Sequence, residues 1–170
     1  SLIAGFDYDT LRAATSWDAA RRELGLAEHA PVNIGWICSD RIVEQGKGER
    51  TALIHENHAG EVRRFTYREL AELSSGWADY LVKQGVKPRD RVCLFLDRVP
   101  ELYISFLGIL KSGAVVEPLF SAFGTDALLT RMEDSRASAL ITQRKHLAKV
   151  RKIREKLPDL KVVIVIDQEA

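Results

Sequence analysis

The sequence predicts an α/β protein in which a parallel or mixed sheet is flanked by helices, after a β-hairpin and a helical N-terminal extension. Two segments carry this prediction, VCLFL at 92–96 and VVIVI at 162–166. Strands that are apolar without a break are typical of sheets buried on both faces. Segments with helical periodicity alternate with these and other short apolar runs, which is the order of parallel βαβ units.

Residues 1–50 are predicted to form the helical extension. Ser16 can cap a helix that ends at Gly25, and Asn33 can begin a second helix that continues to Gly46. The apolar positions of this second helix follow helical spacing. They are Ile34, Ile37, Cys38 and Ile42.

A β-hairpin is predicted next, with strands at 51–56 and 62–66 joined by the turn sequence Asn57-His58-Ala59-Gly60. Thr66 and Glu69 then form the capping-box pattern that begins a helix. The core-facing positions of this helix recur every three or four residues. They are Leu70, Leu73, Trp77 and Leu81.

Residues 51–170 as a whole are predicted to form part of an α/β domain. Strands and helices alternate through its second half. The order is strand 92–96, helix 100–111, strand 115–119, a helix capped by Thr125, strand 139–142, a basic helix at 146–157 and strand 162–166.

Helix 100–111 is apolar around almost its whole circumference. Its small or polar positions form one narrow stripe of Glu101, Ser105, Gly108 and Ser112. A helix of this kind must be covered on more than one side, and a sheet covers only one. We therefore expect residues outside this chain to provide part of the cover, and we expect a sticky surface or self-association without them.

Composition excludes several classes of protein. The net charge is +1, with 25 basic and 24 acidic residues, which argues against a nucleic-acid partner. No apolar run approaches the roughly 20 residues of a membrane span, and the N-terminus lacks the pattern of a signal peptide. Cys38 and Cys93 are far apart within apolar patterns, so we expect free thiols and a cytoplasmic location.

The chain offers few residues for chemistry. His55 and His58 lie on opposite faces of a strand and have no nearby Cys or His, which predicts exposed residues and no metal site. Cys93 lies within an apolar strand without a neighbouring His, so a buried inert thiol is favoured over a nucleophile. Motifs for a catalytic serine, a zinc protease or a phosphate-binding loop are absent from the sequence. We predict no catalytic residues.

One loop is a candidate for ligand binding. Phe120, Ser121, Ala122 and Phe123 follow a predicted parallel strand and precede a helix, where open α/β sheets bind ligands. Small residues between two aromatic rings can seat an adenine-like ring. Equally, the two phenylalanines can simply close the core. The basic helix that includes Lys149 and Arg151 is favoured as a solvated face, with phosphate binding as the alternative.

Six segments of the chain form an ordered series at characteristic spacing. They are Phe65-Thr-Tyr-Arg-Glu-Leu, Gly85-Val-Lys-Pro-Arg-Asp-Arg-Val, Pro100-Glu-Leu through Lys111-Ser-Gly-Ala-Val, Pro118-Leu-Phe-Ser-Ala-Phe, Arg131-Met-Glu-Asp-Ser and Leu140-Ile-Thr. In this order and at this spacing they resemble the N-terminal region of AMP-forming acyl-CoA synthetases, above all acetyl-CoA synthetases. The similarity spans about residues 32–167.

The resemblance implies that the parent protein joins acetate or another short-chain carboxylate to AMP with ATP and Mg²⁺, and then transfers the acyl group to coenzyme A. The family's phosphate loop, acidic motifs and catalytic lysine would follow residue 170. The resemblance thus implies an N-terminal part of the large AMP-binding domain, which needs the remainder of its polypeptide. The chain alone is expected to be inactive.

The resemblance also implies a coenzyme A contact at the aromatic loop, where acetyl-CoA synthetases have Phe-Gly-Gly-Phe. Phe120 and Phe123 match, whereas Ser121 and Ala122 replace the glycines. Arg151 lies near the second of two family arginines that approach the 3′-phosphate, with Lys149 nearby. Two alternatives stay open: a non-catalytic regulatory or assembly module that reuses this fold, and a stand-alone binder of coenzyme A or an adenine nucleotide.

Overall fold

The computed structural model describes residues 7–27 and 31–167. Contacts divide the chain into two units, residues 1–32 and residues 33–170. The first unit contains helices α1 (Tyr8–Ala14) and α2 (Trp17–Glu23). The predicted cap of α2 is confirmed, because the Ser16 side chain accepts a hydrogen bond from the Ala19 N–H at 3.0 Å. Gly25 follows with φ +66°, as expected for a helix end.

The second unit begins with three short helical segments, α3 (Ile34–Ile37), α4 (Asp40–Ile42) and a π-helical turn at Val43–Lys47. The prediction of one continuous helix from Asn33 to Gly46 is therefore wrong. The backbone leaves helical geometry at Ser39, with φ −133° and ψ −78°. The buried Ser39 hydroxyl bonds back to the Gly35 carbonyl at 2.6 Å, a local bond that competes with continued helix.

Asn33 is the first residue of the second unit, and the predicted boundary of the extension at residue 50 stays a prediction. Its side chain accepts from the Trp36 N–H and so begins α3, as predicted. Its side-chain amide donates to the carbonyls of Leu110 and Lys111, at 3.1 and 3.2 Å. The start of α3 is thereby fixed to the second unit.

The predicted hairpin is confirmed, with β1 (Thr51–Glu56) antiparallel to β2 (Val62–Thr66). Helix α5 (Tyr67–Lys83) begins at the predicted capping box, in which both reciprocal bonds between Thr66 and Glu69 are present. The predicted buried position of Leu73 is wrong, because this side chain is 44% exposed. Ser74 is buried in its place, and its hydroxyl donates to the Leu70 carbonyl at 2.6 Å.

The sheet contains β3 (Arg91–Phe95), β4 (Val115–Pro118), β5 (Ala139–Thr142) and β6 (Val162–Val165). Its strand order is β4-β3-β5-β6, and every pair is parallel, which confirms the predicted fold class. The side chains of β3 alternate between two cores. Cys93 and Phe95 face one core, and Val92 and Leu94 face the other.

The crossover helices are α6 (Pro100–Lys111), α7 (Thr125–Asp134) and α8 (Leu147–Ile153), and α8 lies between 3₁₀ turns at Arg144–His146 and Arg154–Lys156. The predicted cap of α7 by Thr125 is wrong. Gly124 occupies the cap position without a side-chain bond, and Thr125 is the first helical residue. The basic helix is shorter than predicted, because tighter turns replace both of its ends.

Helix α6 is covered by the sheet and by two other helices. A Cβ atom on Gly108 would lie 2.8 Å from the Ser74 carbonyl oxygen of α5, and one on Gly35 of α3 would lie 2.7 Å from the Leu107 carbonyl oxygen. The small stripe is thus a site of close helix packing. Tyr103, 47% exposed, is the one exposed apolar side chain within this fully described helix. Residues outside the chain are therefore needed to cover α6 only at Tyr103, and this cover stays a prediction.

Candidate functional site

The carboxyl ends of the four parallel strands meet at one edge of the sheet. From β3 the chain crosses to β4 on one side, and it then returns past β3 to β5 on the other. Ligands of open α/β sheets bind outside such a switch point. A cleft of about 550 Å³ opens here, between the strand ends and the tip of the hairpin. Its walls include His55, His58, Asp97, Arg98, Ser121, Gln143 and Lys145.

Asp97 is the centre of a polar cluster at this edge. Its carboxylate accepts hydrogen bonds from Lys145 Nζ and, at 3.2 Å, from His146 Nε2, while its backbone N–H donates to Gln143 Oε1 at 2.9 Å. The bond from Lys145 is the main reason that the pKa of Asp97 is lowered, with a further bond from the Ser121 side chain. The cluster therefore links the end of β3 to the residues that follow β5.

Asp97, Gln143 and Lys145 were not predicted as site residues, and His146 was predicted only as the start of the basic helix. His146 is in fact buried, with its ring centroid 4.6 Å from that of Phe95. A signal was available, because Asp97 and Gln143 each come directly after a buried apolar strand segment. Parallel strands bring such positions to the same edge.

The aromatic loop, residues 120–124, follows β4 at the same edge. Phe120 is 62% exposed, whereas Phe123 packs against the core cluster of β3, α7 and α8. The two rings meet edge to face at 5.8 Å, and the Arg131 guanidinium lies 4.2 Å from the Phe123 ring centroid. Core closure thus accounts for Phe123 but leaves the Phe120 ring accessible to a ligand.

Lys149 is the basic residue of α8 that contacts the aromatic loop. Its ammonium donates to the Phe123 carbonyl at 2.8 Å and to the Ser121 carbonyl at 3.4 Å, and it lies 5.4 Å from the Phe95 ring centroid. Arg151 is exposed two positions further along the helix and shares none of these contacts. Of the predicted site residues, the structure brings Lys149 and the loop together and leaves Arg151 apart.

Other candidates of the sequence have structural roles. His55 Nε2 lies 3.1 Å from the Arg98 carbonyl oxygen, and no group of three His, Cys, Asp or Glu residues suited to a metal occurs in residues 7–27 or 31–167. Cys93 is fully buried, its thiol donates to Glu117 Oε2 at 2.9 Å, and burial raises its pKa. No helix within the described ranges is long and apolar enough to cross a membrane.

Known proteins resemble this chain in both sequence and structure. Acetyl-coenzyme A synthetase of Streptomyces coelicolor is 37% identical over 111 residues, which are 65% of this chain and 17% of that protein. The Bacillus subtilis acetyl-coenzyme A synthetase is 32% identical over 165 residues, 96% of this chain and 28% of that protein. The crystal structure of Brucella canis acyl-CoA synthetase superposes with a TM-score of 0.81 at 26% identity, over 96% of this chain and 29% of that one.

The chain spans less than a third of the length of each of these three relatives. The family model described as "AMP-binding enzyme" matches residues 40–170, which include the hairpin, α5 and the whole parallel sheet. The segments on which the sequence resemblance rests lie within this match. The chain therefore belongs to the AMP-binding enzyme family.

Proposed function

We propose that this chain is the N-terminal part of an AMP-forming acyl-CoA ligase. The observation that carries the proposal is the family match over residues 40–170, together with relatives named acetyl-coenzyme A synthetase. The whole protein would join acetate or another short-chain carboxylate to AMP, release pyrophosphate and transfer the acyl group to coenzyme A. Its location would be the cytoplasm, in keeping with the free cysteines Cys38 and Cys93.

ATP and Mg²⁺ would be bound mainly by residues outside this chain. Phosphoryl chemistry needs groups that stabilise charge on the transferring phosphate. The described residues provide neither a cluster of metal ligands nor, in the sequence, a phosphate-binding loop. The 170-residue chain alone is therefore proposed to be catalytically inactive, with the remainder of its polypeptide as its partner.

Coenzyme A is the cofactor that the described residues fit. The accessible Phe120 ring offers a stacking surface for the adenine of its nucleotide, and Ser121 and Ala122 place only small side chains beside it. Base stacking on an aromatic side chain contributes about 1–3 kcal/mol. Arg151 adds an exposed guanidinium on the neighbouring helix, and Lys149 holds the loop. We propose these residues and Phe123 as the coenzyme A nucleotide site of this chain.

Pyrophosphate release tests the proposed reaction. The full-length protein with ATP, Mg²⁺, acetate and coenzyme A should release pyrophosphate, and the 170-residue chain should release none. Turnover by the chain alone would contradict its proposed inactivity. A full-length protein that releases no pyrophosphate with acetate or with any other short-chain carboxylate would support the alternative of a regulatory or assembly module.

Calorimetry with coenzyme A tests the proposed site in the chain itself. Phe120→Ala should weaken binding by about tenfold or more, because it removes the stacking surface. Tyr103→Ala is a matched control that removes an exposed aromatic ring from α6. Equal affinity of the wild type and Phe120→Ala would refute the stacking role.

Self-association of the chain, which was expected from the apolar helix 100–111, is tested separately. Light scattering measures the oligomeric state of the chain.

A further inference from the structure

We infer that Lys149 is a positioning residue for the aromatic loop and does not itself bind a phosphate of the ligand. This inference rests on the proposed coenzyme A site for the identity of the ligand. The contacts of the Lys149 ammonium carry it, since they are made to the main chain of the loop. A lysine that bound ligand phosphate directly would need its N–H donors to face the ligand.

Most of the hydrogen-bonding capacity of the Lys149 ammonium is used within the chain. A lysine has three N–H donors and no acceptor. Two of them are used by the carbonyls of Phe123 and Ser121, and the charge also lies over the face of Phe95. Carbonyl dipoles and an aromatic face both stabilise a cation that is partly withdrawn from water. Within the described residues no carboxylate forms an ion pair with it.

The two carbonyl bonds also determine how the loop presents its N–H groups. The chain has no cis peptide bonds among the described residues, and in a planar trans peptide the N–H points opposite to the carbonyl. The N–H groups of Ala122 and Gly124 therefore point away from Lys149. Within the described residues neither donates to a backbone carbonyl. Lys149 thus holds two free donors of the loop on the side opposite to α8.

Amide hydrogen exchange tests the positioning role without any ligand. The Phe123 N–H donates to the Phe120 carbonyl at 2.9 Å and so reports whether the loop is closed. Lys149→Met should speed exchange at this amide by about tenfold, because one charge-assisted bond is lost. Lys149→Arg retains the charge and the donors, so exchange at the Phe123 amide should be clearly slower in this variant than in Lys149→Met. Lys152→Met, an exposed lysine on the same helix, should leave it unchanged.

Coenzyme A and 3′-dephospho-coenzyme A then separate positioning from phosphate binding. If Lys149 positions the loop, Lys149→Met should weaken the binding of both ligands by the same factor. The ratio of their dissociation constants should then stay that of the wild type. A selective loss for coenzyme A would overturn the inference, as would wild-type exchange at Phe123 in Lys149→Met. If the wild type binds neither ligand, the proposed coenzyme A site is refuted, and the exchange result alone decides the role of Lys149.

Discussion

Replacing Gly108 with alanine measures how closely α5 and α6 must pack. A Cβ atom at this position would lie 2.5 Å from the Cβ of Trp77 and 2.8 Å from the carbonyl oxygen of Ser74. Ordinary van der Waals contact begins near 3.4 Å. Both neighbouring atoms belong to or adjoin the backbone of α5, so no side-chain rotation can relieve the overlap. The two helices would have to separate.

Gly76 provides a matched control within α5. It is exposed, and an added Cβ atom would meet nothing within 4 Å. Glycine to alanine in a helix interior is favourable by about 0.5–1 kcal/mol, and this gain should apply at both positions. Overpacking costs about 1–3 kcal/mol, and the close approach of two atoms places Gly108 at the upper end. We expect Gly76→Ala to raise the free energy of unfolding and Gly108→Ala to lower it by about 2 kcal/mol.

Urea denaturation followed by far-UV circular dichroism measures both effects. With a slope of about 2 kcal/mol per molar urea, Gly108→Ala should lower the midpoint by about 1 M. Gly76→Ala should raise it by a few tenths of a molar unit. A midpoint for Gly108→Ala at or above that of the wild type would refute the packing argument, since the helix-propensity gain would then face no opposing cost.

Three further predictions concern charge and exposure. Asp40→Asn should lower the free energy of unfolding by about 2–3 kcal/mol, which is more than Lys111→Met should lower it. The reason is that the Lys111 side chain, 9% exposed, loses its carboxylate partner at 2.5 Å and cannot regain water. Equal losses of unfolding free energy in urea would contradict this. The pKa of Asp97 is depressed in the folded state below 3.8, so its stabilising contribution is present above that pH and is lost as the pH falls through the folded value. The urea midpoint of Asp97→Asn should hence approach that of the wild type in acid, and a gap that does not change with pH would argue against it. Phe123→Ala should destabilise the chain by about 3 kcal/mol and Phe120→Ala by much less, because Phe120 is 62% exposed; equal thermal midpoints of the two variants would refute the division of roles within the loop.

The predictions that succeeded were local or followed from burial on two faces. The capping box at Thr66 and the cap at Ser16 need only neighbouring residues, and both form as predicted. The parallel sheet was predicted because VCLFL and VVIVI have no polar face. Burial on both faces is confirmed for β3, whereas it is wrong for β6, which lies at the edge of the sheet with Val163 37% exposed. The hairpin strands agree with the predicted ranges, because a turn rich in Asn and Gly separates two short runs.

The predictions that failed depended on partners distant in sequence. Leu73 fits the apolar spacing of α5, yet Ser74 is the buried residue, because Gly108 of α6 brings the two backbones together there. A continuous helix after Asn33 also fits the spacing, but the helix is interrupted at Ser39. The next residue is Asp40, whose carboxylate forms an ion pair with Lys111 of α6. Periodicity records which residues are apolar and cannot record where another helix approaches.

The sequence by itself determined the α/β class, the order of the strands and crossover helices and the family resemblance, and it predicted the aromatic loop as a candidate ligand site. Tertiary structure decided the roles within that loop: Phe123 closes the core, Phe120 stays exposed, and Lys149 holds the loop carbonyls. It alone joined Asp97 to residues that follow β5. The reason is physical, since parallel strands separated by whole helices bring their carboxyl ends to one edge only when the sheet has formed.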